Sequence, residues 1–208
     1  MGRCRSAYHP GVPVGPTFLS EPPETDGSKR LYEDDLESDG YVGNLTRLWA
    51  WRPDTHFGFA EVRTELAKAS TLTARERAVL VTAAASARGD AYCSLAWGAR
   101  LAELTDDDSA ALVIAGESPT SLSQREQALA RWARDVVRDP NVTTAGDVDA
   151  LRAAGLDDRE IFEATAFVAF RLAFSTVNDA LGAAPDKQLA DDAPHAVRDA
   201  VSFGRPPA

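Results

Sequence analysis

From residue 30 onward apolar residues recur at spacings of three and four, and the strict alternation of a half-buried strand is almost nowhere sustained. This period predicts helices over 30–37, 43–51, 54–69, 73–88, 91–104, 106–115, 123–138, 144–154 and 157–181. Three of the starts carry a capping oxygen three residues before a carboxylate: Thr73 with Glu76, Ser123 with Glu126, and Asp157 with Glu160. Gly89, Gly155 and Gly182 stand where helices should stop, because glycine takes the left-handed conformation of a helix end at little cost. Within 157–181 the stretch EATAFVAFRLAFSTV is apolar nearly all round, the pattern of a helix enclosed by others. The fold class that follows is all-α, an orthogonal helical bundle with the long helix 157–181 buried at the centre of its core.

The punctuation differs before residue 28. Pro10, Pro13, Pro16, Pro22 and Pro23, with Gly2, Gly11, Gly15 and Gly27, prevent regular helix and predict an extended arm over residues 1–28, laid on the body or on a neighbouring subunit. A single helical domain is expected over 29–183 and a tail over 184–208. An internal echo, LTARERA at 72–78 and LSQREQA at 122–128, fits either two independent caps or a duplicated helical unit.

Composition narrows the functional classes. The chain has 208 residues, 44% apolar content and a net charge of −10, which fits a folded protein and disfavours nucleic acid or an anionic membrane surface as a partner. No apolar run is long enough to span a membrane and MGRCRSAYHPGVPVGP has no signal-type apolar core, so a cytoplasmic location is expected. Two cysteines, Cys4 and Cys93, make neither a disulfide framework nor a four-cysteine zinc site. His9, His56 and His195 lack the i, i+4 partners of a metal site, and no phosphate-binding glycine loop occurs. No metal and no cofactor are therefore expected. Trp49, Trp51 and Trp132 are assigned to packing or a subunit contact.

The segments GYVGNLTRLWAWRP (40–53), LTARERAVLVTAAASARGDAYCSLAWGARLAEL (72–104), the run that opens at LSQREQA (122–170) and NDALG (178–182) resemble the peroxidase-related branch of the alkylhydroperoxidase D-like, carboxymuconolactone decarboxylase-like superfamily. The resemblance implies a six-helix core assembled into homo-oligomers: dimers, trimers or hexamers. It also implies redox chemistry by a Cys-x-x-Cys pair, a histidine four residues after the second cysteine and a glutamate twelve before the first. In this chain Cys93 and the preceding Tyr92 match, whereas Asp90 replaces the first cysteine, Trp97 the histidine and Ala78 the glutamate. A disulfide relay needs a second thiol to resolve the sulfenic acid formed at the first, and Asp90 cannot supply it. Neither alanine nor tryptophan titrates near neutral pH, so the proton relay is also missing.

Residues 90, 93 and 97 are three and four apart and share a helix face. Asp90 after Gly89 reads as an N-cap or as a catalytic acid or base, and Cys93 as a core thiol or a nucleophile whose pKa the helix dipole lowers while the carboxylate and burial raise it. Tyr92 and Trp97 are assigned to a pocket, with Trp97 narrowing it. Arg171, inside the most apolar helix, requires a carboxylate, water or an anionic ligand, and Asp90 is its candidate partner. Three functions follow: a repurposed small-molecule enzyme (lyase, isomerase or decarboxylase) with Asp90 as acid or base and Arg171 holding a carboxylate; a single-cysteine thiol peroxidase using Cys93; or a silent helical oligomer with the space at Trp97 filled.

Overall fold

The three capping signals are satisfied as pairs of hydrogen bonds. Residues 17–208 are described by a computed structural model, and in it the Thr73, Ser123 and Asp157 oxygens accept from the backbone N–H groups of Glu76, Glu126 and Glu160, whose carboxylates bond back to the cap residue. The described residues form eleven helices: α1 Asp26–Ser38, α2 Asn44–Trp49, α3 Pro53–Ala69, α4 Ala74–Arg88, α5 Ala91–Leu104, α6 Asp107–Ile114, α7 Gln124–Arg138, α8 Ala145–Ala153, α9 Asp158–Ala180, α10 Lys187–Asp192 and α11 His195–Ala200. No strand occurs among them, as the apolar period requires. Gly89 closes α4 at φ +78°.

The centre of the core is α4, which packs against α5, α6, α7 and α9. Every residue from Ala78 to Ala85 is buried, and the alanines among them let four neighbours approach closely on all sides. The expected enclosure of 157–181 is therefore corrected. One side of α9 covers α4 and α7, but Phe162 (72% exposed), Ala169, Ala173 and Val177 lie along the other side facing outward. Periodicity reports that a face is apolar, not that the same chain covers it.

The N-termini of α4, α7 and α9 are tied by two arginines. Arg75 of α4 reaches Glu126 of α7 at 2.6 Å, and Arg125 of α7 reaches Glu76 of α4 at 2.5 Å, so the two echoed segments exchange side chains reciprocally. Leu72 and Leu122, each just ahead of its cap, are both buried. Arg125 also holds Glu160 of α9 at 2.5 Å. Each glutamate thus serves its own helix cap and an arginine at once.

Both ends of the described segment join the body. Gly182 has φ +81°, and a Cβ there would come within 2.6 Å of the Phe18 ring, which Arg205 covers from 4.5 Å. Phe18 N–H donates to the Leu181 carbonyl. Residues 1–16, which include Cys4, His9 and most of the expected arm, lie outside the described residues. The segment expected to be a tail instead carries α10 and α11, with Ala190, Ala193 and Val197 in the core. Gly98 of α5 leaves room for them, since a Cβ at 98 would sit 2.8 Å from Ile114 and Val197.

Burial pushes the Glu76 carboxyl up, but the Thr73 N–H and Arg125 outweigh it and the net pKa is lowered; Glu160 is lowered chiefly by Arg125. Such carboxylates stabilise the fold above their unfolded pKa and lose that contribution as pH falls through the lowered folded value. Arg125→Ala is expected to cost about 3 kcal/mol at pH 7, because it strands two carboxylates. In urea titrations that deficit should shrink as pH drops below the ordinary glutamate range; a deficit independent of pH would refute the assignment.

Candidate active site

The left-handed turn at Gly89 ends α4 and swings the chain so that Asp90 begins α5. Asp90 is 1% exposed and acts as the N-cap, one carboxylate oxygen accepting from Cys93 N–H at 2.9 Å. The other accepts from the Ser175 hydroxyl of α9 at 2.5 Å. Ser175 Oγ also stands 3.8 Å from Cys93 Sγ.

Cys93 is buried and unpaired. Burial pushes its thiol far above the ordinary cysteine range, and the charge of Asp90 adds to the rise; Arg171 and Ser175 oppose without reversing it. A dipole effect at a helix start is worth roughly 0.3–1 kcal/mol, too little against burial of the charged form. Cys93 is therefore held as a neutral thiol, which is neither a good nucleophile nor a metal ligand.

One turn further on, Trp97 forms the wall of a second space. Arg171 lies over its ring, the guanidinium carbon 4.6 Å from the ring centroid. The expected Asp90–Arg171 ion pair is not formed, because Asp90 is committed to Ser175 and the α5 cap; among the described residues no carboxylate lies within 4.0 Å of Arg171. Burial lowers the Arg171 pKa to about 10, Arg63 pushing it further down and the Asp90 charge pulling it up.

A cleft of about 350 Å³ opens here between α3, α4, α5 and α9, bordered by Arg63, Arg77, Trp97, Phe167, Phe170 and Arg171. A separate cavity of about 10 Å³, room for roughly one water, touches Cys93, Ser175 and Arg171. Arg171 thus stands between the thiol and the cleft. Trp97, expected to narrow this space, leaves the cleft open, and Asp90 lines neither space.

Tyr92 points the other way. Its hydroxyl donates to Asp186, whose second oxygen accepts from Asn44 N–H at 2.8 Å, so Tyr92 ties α5 to α2 and α10 and borders neither cavity. Its assignment to the pocket is corrected on that ground. Trp49 is buried, stacked on Phe174 at 5.0 Å and bonded to Asn178; Trp132 is buried and donates to Thr165; Trp51 is half exposed in the turn after α2. Among the described residues no three metal-ligating side chains come together.

Arg63, Arg77 and Ser175 are functional candidates that the sequence did not single out. Ser175 lies four residues after Arg171 on an otherwise apolar helix, a spacing that signals a shared face. Arg63 carries no such signal, since an arginine on an amphipathic helix ordinarily faces water.

Asp90→Ala should destabilise the fold by about 2 kcal/mol through loss of the cap and of the Ser175 partner. Asp90→Asn keeps a cap oxygen and should cost distinctly less in urea denaturation. Equal losses would show that the buried charge, not the cap, is what matters at 90.

No family model matches the sequence, and no curated protein matches it. Solved structures do. The alkylhydroperoxidase AhpD core of an uncharacterized peroxidase-related protein from Ralstonia eutropha JMP134 aligns with a TM-score of 0.69 at 24% identity, covering 86% of this chain and 96% of that one. An uncharacterized peroxidase-related protein from Silicibacter sp. TM1040 aligns with a TM-score of 0.74 at 22% identity, covering 87% and 97%. Single chains of both are thus matched over nearly their whole length, and the fold of this protein is that of the alkylhydroperoxidase core.

Proposed function

We propose that the chain is a small-molecule enzyme built on the alkylhydroperoxidase fold that works without thiol–disulfide exchange, with the cleft beside Trp97 as its substrate chamber. The observation that carries this reading is the contrast between the two spaces: the thiol faces a cavity of about 10 Å³, whereas the replaced histidine position borders one of about 350 Å³. A silent scaffold would have filled the larger space, and a single-cysteine peroxidase would have exposed the smaller. Arg171 supplies fixed positive charge to the chamber, which suits holding an anionic group or stabilising one that develops during reaction. This fits the lyase, isomerase or decarboxylase class better than an oxidoreductase. The outward apolar stripe of α9 at Phe162, Ala169, Ala173 and Val177 supports assembly with a second copy in the cytoplasm, the arrangement that the family resemblance implies.

Graded peroxide treatment followed by mass spectrometry, with the Cys93 peptide resolved from the Cys4 peptide, tests the redox half of this reading. Cys93 should stay reduced in the native protein and become oxidised only when the chain is unfolded in urea. Rapid, selective sulfenic acid formation at Cys93, absent in Cys93→Ser, would overturn it in favour of a single-cysteine peroxidase.

A further inference from the structure

Three guanidinium groups border the cleft, and no aspartate or glutamate does. In a chain of net charge −10 this is a local inversion of sign. Elsewhere Arg47, Arg52, Arg75, Arg88, Arg100, Arg125, Arg138, Arg152 and Arg159 each have a carboxylate within 4.0 Å; among the described residues Arg63, Arg77 and Arg171 have none, and neither do Arg30, Arg131, Arg134, Arg198 and Arg205, which lie away from the cleft. Arg77 donates to the Leu72 carbonyl, so its charge is partly satisfied by backbone. Arg63 and Arg171 have no such bond. The Nε of Arg63 is buried without a partner, and its guanidinium is held over the rings of Phe59 and Phe174, at 5.7 Å and 5.3 Å. Arg171 is likewise held by the face of Trp97.

A cation–π contact orients a guanidinium while leaving its N–H fork open at the edge. Two arginines so held, bordering one cleft and with no carboxylate within 4.0 Å among the described residues, form a receptor for the two oxygens of one anionic head. The remaining wall is apolar apart from Thr64, whose hydroxyl donates to the Ala60 carbonyl: Leu66, Ala67, Val81, Trp97, Phe167 and Phe170. The volume is at the small end of the range for ligand pockets, roughly 300–1,000 Å³.

We propose that the cleft binds a small organic acid with an aromatic or short aliphatic body, its anionic head bridging Arg63 and Arg171 and its body lying against Trp97, Phe167 and Phe170. This rests on the reading above in taking the cleft as the substrate chamber and narrows that reading to a ligand class. Anion and apolar body are both required. The head alone would leave the aromatic wall wet, and the body alone would leave two cations without counterions.

Isothermal titration calorimetry on the full chain with phenylacetate, 2-phenylethanol and inorganic phosphate tests it. Phenylacetate should bind, with affinity falling as sodium chloride is raised. The uncharged alcohol and phosphate should each bind roughly tenfold or more weakly. Arg63→Gln and Arg171→Gln should each weaken phenylacetate by roughly tenfold or more, whereas Arg100→Gln, on an exposed pair with Glu103, should leave it unchanged. The comparison of acid with alcohol on the unaltered protein stands even if a variant fails to fold. Equal binding of acid and alcohol, phosphate as tight as phenylacetate, folded glutamine variants that bind like the parent, or no binding of the acid would each overturn the proposal. None of those outcomes bears on whether Cys93 is redox-active.

Discussion

The constraint on which this structure rests is the reciprocal exchange of Arg75 and Arg125 between the capped N-termini of α4, α7 and α9. The three glutamates that complete the capping boxes are also the acceptors of the two arginines, so forming a helix start and docking it on its neighbours are one event. An arginine in that position also answers a cost: carboxylates with little exposure to water need a cation and donors together. With α4 and α9 fixed at this end, their relative rotation is set along their length. That rotation brings Val81 of α4 and Phe170 and Arg171 of α9 to the same cleft.

The other end of α4 decides what becomes of the thiol. Gly89 permits the tight reversal, Asp90 takes the cap, and Ser175 of α9 closes the remaining carboxylate oxygen. A cysteine placed in the first turn beside that cap gains a little from the helix dipole and loses far more to burial and to the neighbouring negative charge. In a site built for redox exchange the residue at position 90 would itself be a sulfur. Here it is a structural acid, and its presence both stabilises α5 and quiets Cys93. Under the proposed function the chemistry lies one turn along α5, where Trp97 meets Arg171 of α9 at the cleft.

How much of this was legible follows from the range of each signal. Thr73, Ser123, Asp157 and Gly89 act within a few residues, so the helix starts and stops could be placed and the all-α architecture with them. That Asp90, Cys93 and Trp97 share a helix face was legible from their spacing, whereas reading them against a Cys-x-x-Cys motif came from the family resemblance. What escaped depended on contacts distant in sequence. Tyr92 is drawn to Asp186, ninety-four residues away, and Arg63 is half-buried because α3 lies along Phe174. The helices α10 and α11 have six residues each and no side-chain cap bond, so neither period nor punctuation marked them. The one-sided exposure of α9 was hidden for a related reason: an alanine reads the same whether it meets another helix or none.

Gly98 and Val197 carry a consequence for the order of assembly. Val197 seats beside Ile114 against the missing side chain of Gly98, yet it is made after every helix that it contacts in α5 and α6. A nascent chain emerging from the ribosome therefore presents the α5–α6 face bare until α11 follows, and the interior is sealed by the segment that arrives late. Loss of that short helix would leave the same face bare in the finished chain as well as in the nascent one, since Val197 is fully buried there.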